Sequence, residues 1–109
     1  MPEEILVALS TFPDAETARR VAEKLVAKNL VACANITTQV ESVYRWKGEI
    51  ETGKEALVLF KLTPDRYAAF EKELTTLHPY EVPEIIALPV TRGSPEYLRW
   101  VSESCAVPL

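Results

Sequence analysis

Residues 30–62 predict a long antiparallel hairpin. Residues 30–36 are apolar and compatible with a strand, and after Thr37 a second stretch, residues 40–46, alternates its aromatic side chains with period two. Lys47-Gly48 supplies a glycine for a two-residue turn, and residues 49–62 return as a strand. We expect the first half to be one long strand, bent or bulged near Thr37. Because an isolated two-stranded ribbon is only marginally stable in water, its outer half needs a partner.

The segments on either side of the hairpin alternate between strand and helix patterns. Short apolar runs indicate strands that are covered on both faces, whereas apolar residues spaced by three and four indicate amphipathic helices. The segments are a strand at residues 5–9, a helix at 14–28, a helix at 63–78, a strand at 85–90 and a short C-terminal helix from 93 through 101.

This order of elements predicts an α+β fold, a ferredoxin-like βαββαβ sandwich with an antiparallel sheet, a long hairpin between its second and third strands and a short C-terminal helix. The length of 109 residues is that of one domain, spanning residues 1–109. Two helices cover one sheet face, yet the hairpin strands carry apolar residues in both alternating sets. The other face should therefore also be hidden, and symmetric self-association is the simplest way to hide it.

Charge and composition exclude several classes of partner. Lys and Arg number 12 against 16 Asp and Glu, and the net charge of -4 gives no attraction to phosphate backbones or anionic lipid. No apolar stretch approaches the roughly 20 residues that span a bilayer. The first four residues, MPEE, lack the positive charge that opens a secretory signal. We expect a cytoplasmic protein with neither a nucleic-acid nor a membrane partner.

Four segments resemble the divalent-cation tolerance (CutA) family, in order and at the family spacing. They are LSTFPD at residues 9–14, LVACANI at 30–36, SVYRWKGEI at 42–50 and HPYEVPEIIALP at 78–89. The resemblance covers nearly the whole chain. It implies a ferredoxin-like subunit, a homotrimer built by edge pairing of the long hairpins, and an association with tolerance to divalent metals, copper in particular.

The resemblance also implies a metal site. The family places copper on a thiol after the first strand and on paired histidines before the HPY proline, and the matching positions here are Ser10, Leu77 and His78. Only His78 retains a metal-ligating side chain, so the implied cofactor is copper or another divalent cation held through His78, with none required for folding. Since copper takes imidazole nitrogen and thiolate sulfur, one imidazole chelates poorly unless symmetry brings several together. The alternative is that a charged His78 caps the second helix at the negative end of its dipole.

A second group of residues is predicted to line a cleft between subunits. Tyr44 and Trp46 face Glu49 and Glu51 across the hairpin. The two aromatic rings are suited either to line a ligand-binding cleft or to anchor a subunit interface. Cys33 lies in an apolar run, where it is either a small core residue or a thiol lining the cleft.

Three further polar residues are expected near one end of the sheet. Lys61 ends an apolar strand, and Tyr80 and Glu84 belong to the proline-rich loop before the last strand. Because burial of such groups requires pairing, we hypothesise an ion pair between Lys61 and Glu84.

Signals for catalysis are missing from the sequence. A chain with 1 histidine and 3 glycines assembles none of the usual nucleophile–base or phosphate-binding motifs, so we expect no enzyme. Three functions remain: a metal-binding or metal-tolerance trimer, a trimeric signalling protein of the PII kind, and an assembly or docking module that binds a small molecule or protein at the intersubunit cleft. The tight turn at Lys47-Gly48 argues against the long loop of PII proteins.

Overall fold

The computed structural model describes residues 4–106, and residues 1–3 and 107–109 of the predicted domain lie outside it. The elements are β1 (Leu6–Phe12), α1 (Ala15–Ala27), β2 (Cys33–Ile36), β3 (Val40–Trp46), β4 (Glu49–Leu62), a 3-10 turn (Pro64–Arg66), α2 (Tyr67–Leu77), β5 (Ile86–Pro89) and α3 (Pro95–Cys105). The sheet runs β2-β4-β1-β5, with β3 continuing the pairing along β4, and the pairs are antiparallel. The predicted α+β fold, with its antiparallel sheet, long hairpin and C-terminal helix, is confirmed.

The long strand predicted for the first half of the hairpin is divided at Thr37. Ile36 pairs with Val58 and Val40 pairs with Glu55, so β2 and β3 together carry one more residue than the facing part of β4. Such an extra residue is a β-bulge, which bends the strand and increases its twist. Thr37 stabilises the bulge, because its backbone N–H and its Oγ1 both donate to Leu57 O, at 2.9 and 3.0 Å, while Oγ1 accepts from the Leu57 N–H at 3.0 Å.

The outer half of the hairpin projects as a ribbon, formed by β3 and residues 49–55 of β4. Lys47 and Gly48 form the predicted two-residue turn, with φ values of 50° and 83°. Positive φ at both positions belongs to the turn whose twist matches that of the flanking strands. The chain extends 47 Å along its longest axis against 27 and 22 Å along the others, as expected when a ribbon extends from a small core.

Alternate residues of β1 and β4 form one side of the core. Ala8 and Phe12 of β1 and Val58 and Phe60 of β4 are fully buried, and the Phe60 ring packs against Phe70 of α2 at 5.2 Å between centroids. The helices α1 and α2 thus cover this face of the sheet, as predicted. No helix within residues 4–106 is long and apolar enough to cross a membrane.

The opposite sheet face is also apolar and only partly covered. Leu9 pairs with Leu59 on one side and with Ile86 on the other, so the three side chains point to the same face. Leu9 and Leu59 are half-buried, whereas Ile86 is 52% exposed and Leu88 is 55% exposed. An apolar patch of this kind, spread over neighbouring strands, is typical of an interaction surface.

Candidate functional site

A groove of about 1050 Å³ lies between the ribbon and the loop of residues 79–84 that follows α2. Five of the eight predicted cleft residues line this groove, and both walls contribute to them. They are Tyr44, Trp46, Glu51, Tyr80 and Glu84. The structure therefore brings together residues that are more than 30 positions apart in sequence.

The ribbon register explains which side chains reach the groove. Tyr44 pairs with Glu51 and Trp46 pairs with Glu49, so these four side chains share one face of the ribbon, as the period-two pattern predicted. Glu49 lies beyond the groove, near the turn, and does not line it. The Nζ atom of Lys47 lies 5.8 Å from the centre of the Trp46 ring, within the range of a cation–π contact.

Cys33 and Lys61 lie away from the groove. Cys33 of β2 pairs with Lys61 of β4, and Lys61 pairs on its other side with Val7 of β1. The groove lies at the opposite end of β1, where Thr11 lines it together with Glu84. The Nζ atom of Lys61 donates to Asn35 Oδ1. Within residues 4–106 the ion pair that forms is Lys28–Glu73, at 2.9 Å, so the hypothesised Lys61–Glu84 pair is wrong within one chain.

The Cys33 thiol is half-buried rather than part of the buried core. Its Sγ lies 3.6 Å from the Tyr97 hydroxyl of α3. The thiol therefore packs against the C-terminal helix, and it lines no part of the groove.

The ring of His78 is held by hydrogen bonds at both nitrogens. Nε2 lies 2.9 Å from the carbonyl oxygen of Thr11 and 3.2 Å from Ser10 Oγ, and Nδ1 lies 3.1 Å from the backbone nitrogen of Tyr80. Because the Tyr80 N–H can only donate, Nδ1 is the acceptor and carries no proton. Nε2 therefore carries the proton of a neutral imidazole and donates it to Thr11.

The surroundings of His78 favour this neutral form. The residue is 8% exposed, and its ring stacks on Phe12 with 4.5 Å between centroids. Burial lowers the pKa of His78 below its ordinary value, against the opposing effects of the Thr11 carbonyl and the Glu55 carboxylate. The predicted helix cap by a charged imidazole is wrong. His78 does occupy the C-terminal cap position of α2, but its ring turns towards β1, and its backbone N–H bonds to Leu74 O.

Tyr80 joins the His78 network to the ribbon. Its hydroxyl donates to Glu55 Oε2 at 2.6 Å. Burial raises the pKa of Tyr80, and the hydrogen bond and negative charge of Glu55 raise it further. Glu55 is a site residue that the sequence pattern alone did not predict. Its spacing of four residues from Glu51 on the same strand is the signal that places both carboxylates on one face of the ribbon.

The residues at the family's metal positions do not form a copper site in this chain. Ser10 is buried and contributes an alcohol, Leu77 packs against the apolar core, and the nitrogens of His78 are both hydrogen-bonded. Copper is held by free imidazole nitrogens or thiolate sulfurs, which this set does not offer. Across residues 4–106 no three His, Cys, Asp or Glu side chains are grouped so that they hold a metal ion. Metal ligation by His78 stays a prediction, and it would require the hydrogen bond at one of the two ring nitrogens to break.

Comparison with known sequences points to one family. Residues 6–104 match the family described as CutA1 divalent ion tolerance protein. The divalent-cation tolerance protein CutA of Thermus thermophilus is 44% identical over 98 residues, which cover 90% of this chain and 95% of that protein. Protein CutA of Mus musculus is 40% identical over 94% of this chain, which spans only 58% of the mouse protein.

Comparison with solved structures agrees. The divalent cation tolerance protein of Thermus thermophilus superimposes with a TM-score of 0.89 at 43% identity, covering 92% of this chain and 97% of that one. CutA1 from Ehrlichia chaffeensis gives a TM-score of 0.90 at 32% identity, covering 98% and 99%. The predicted resemblance is thereby confirmed, and the chain belongs to the CutA1 divalent ion tolerance family.

Proposed function

We propose that this chain acts in divalent-cation tolerance as a homotrimer, assembled through the open sheet face and the ribbon. The apolar open face carries the proposal, since Leu9, Leu59 and Ile86 point to one side of the sheet, which the described residues cover only in part. The ribbon supports it, because Val43 and Ile50 are 71% and 67% exposed on the face turned away from Trp46. Each Å² of apolar surface buried contributes about 25 cal/mol, and cyclic assembly buries the same patch in every subunit. The number of three subunits rests on the family resemblance.

We further propose that a divalent cation is contacted by groups from more than one subunit. The described part of one chain holds no group of three His, Cys, Asp or Glu ligands, so a site in the groove would need ligands from a second subunit. Glu51 and Glu84 line the groove, and Glu49 lies on the same ribbon face as Glu51. Carboxylate oxygens are the ligands of hard cations, so this site suits manganese or magnesium better than copper.

Calorimetric titration of the full chain with copper, zinc and manganese tests the cation proposal, with the mass in solution recorded on the same sample. The proposal predicts a trimer that binds manganese stoichiometrically, with affinity reduced about tenfold or more by Glu51→Gln and unchanged by His78→Ala. A trimer with only weak surface binding would remove the cation contact and leave the assembly proposal standing. A monomer would remove both.

The groove favours a second candidate, the binding of a small molecule or a protein segment at the intersubunit cleft. Its aromatic and acidic lining, Tyr44, Trp46, Tyr80, Glu51 and Glu84, offers both apolar contact area and hydrogen-bond acceptors. Protection of residues 79–84 from hydrogen exchange when a cell extract of small metabolites is added would support this candidate. Unchanged exchange would count against it.

The proposal includes no catalytic step, because the family is named for tolerance to divalent ions and not for a reaction. We also propose the cytoplasm as the location of this chain. Fractionation of cells that express the chain with its natural N-terminus tests this, and recovery outside the cytoplasm would overturn it.

A further inference from the structure

We propose that His78 is a positioning residue whose neutral imidazole ties the loop of residues 79–84 to the end of β1 by hydrogen bonds, and that these bonds leave neither ring nitrogen free to bind a metal ion. The inference depends neither on the trimer nor on a cation site. It arises from two hydrogen bonds that use opposite edges of one buried ring, namely Nε2 to Thr11 O at 2.9 Å and Tyr80 N to Nδ1 at 3.1 Å.

A metal ion needs a free lone pair on an imidazole nitrogen, and this ring has none to offer. The lone pair of Nδ1 accepts the Tyr80 N–H, and Nε2 carries the proton that Thr11 accepts. Ligation at Nδ1 would leave a buried backbone N–H without an acceptor, and ligation at Nε2 would displace the proton and the Thr11 contact. Because His78 is only 8% exposed, water does not readily replace either partner.

The same ring sets the position of one wall of the groove. Tyr80 is held twice, through its N–H on His78 and through its hydroxyl on Glu55 at 2.6 Å. Stacking on Phe12 fixes the plane of the imidazole, so the loop is tied to β1 by His78 and to β4 by Glu55. Since Tyr80 and Glu84 line the groove, the width of the groove follows from this double attachment.

The first test uses the single histidine of the chain, which makes its imidazole nitrogen spectrum unambiguous. Long-range nitrogen–proton correlation of the full-length protein at neutral pH should show the Nε2–H tautomer of His78. One equivalent of zinc or of copper(I) should leave both ring signals unshifted. An Nδ1–H tautomer, or a stoichiometric shift of the ring signals with either metal, would overturn the proposal.

The second test separates positioning from general stability. His78→Gln reaches towards Thr11 with an amide donor but offers Tyr80 no acceptor, whereas His78→Asn offers an acceptor closer to the position of Nδ1. We expect hydrogen exchange at the Tyr80 amide to accelerate about fivefold or more in His78→Gln beyond any acceleration of core amides in α1, and less in His78→Asn. Leu77→Ala is the control, since it removes packing and leaves these hydrogen bonds intact. If Tyr80 and the core amides accelerate equally in His78→Gln, the tie does not exist.

Discussion

The two halves of β4 belong to one strand but depend on different partners. From Ala56 to Leu62 the strand lies between β1 and β2, and every second side chain is buried under the helices. From Glu49 to Gly53 it pairs with β3 alone, and its side chains are exposed or nearly so. The inner half is therefore stabilised by contacts within one chain, whereas the outer half is stabilised by its turn and, in our proposal, by neighbouring subunits. Substitutions in the inner half should therefore lower the stability of the single chain, whereas substitutions in the outer half should weaken its association with other subunits.

The largest effect is expected in the inner half. Phe60→Ala removes a fully buried ring that packs on Phe70, and it should lower the free energy of unfolding by about 3–5 kcal/mol. Chemical denaturation followed by circular dichroism measures this loss. A loss below about 1 kcal/mol would mean that the inner half is not the stabilising half.

The outer half should respond through assembly. Ile50→Lys places a charge on an exposed position, so the fold of one chain should persist while association weakens by about 2 kcal/mol, roughly thirtyfold in the association constant. Sedimentation over a range of concentrations measures the shift. Glu23→Lys, on the exposed face of α1, is the matched control, and equal masses for both variants would contradict the division of roles.

At the junction of the two halves, Glu55 anchors Tyr80. Tyr80→Phe removes the 2.6 Å hydrogen bond and should lower the free energy of unfolding by about 1.5 kcal/mol, since one partner is a carboxylate. Thermal unfolding of Tyr80→Phe, Glu55→Gln and the double variant forms a cycle that isolates the interaction. Additive losses would show that the two side chains do not interact.

The smallest effect is a pH dependence from His78. Its pKa is lowered in the folded chain, so between that value and 6.5 the unfolded chain binds more protons than the folded chain. Stability contributed by the neutral ring is thus present above pH 6.5 and is lost as pH falls below it, by at most about 1.4 kcal/mol per pH unit. The charged or titratable neighbours named by the structure are Glu55 on β4 and Tyr80 in the loop. His78→Asn should flatten this part of the stability profile, and an unchanged slope would exclude His78 as its source.

Local signals in the sequence predicted the local structure well. Lys47-Gly48 encodes a two-residue turn, because the positive φ values of such a turn depend on the residues themselves. The bulge near Thr37 was also predicted in place.

The site was predicted only in part, because its contacts depend on register between distant segments. The period-two pattern predicts that Tyr44, Trp46 and Glu51 share one face of the ribbon. It does not determine which end of β1 lies beside the loop that contains Glu84. The hypothesised Lys61–Glu84 pair is wrong within one chain for that reason. The bond from His78 to Thr11 spans 67 positions, and no local pattern of residues encodes it.

The proposed trimer joins its subunits through the open face and the ribbon. Light scattering coupled to size-exclusion chromatography measures the mass of the full-length protein directly. We expect three times the chain mass of 12.2 kDa, maintained on dilution to low micromolar concentration and reduced in Ile50→Lys. A folded species of 12.2 kDa at all concentrations would contradict it.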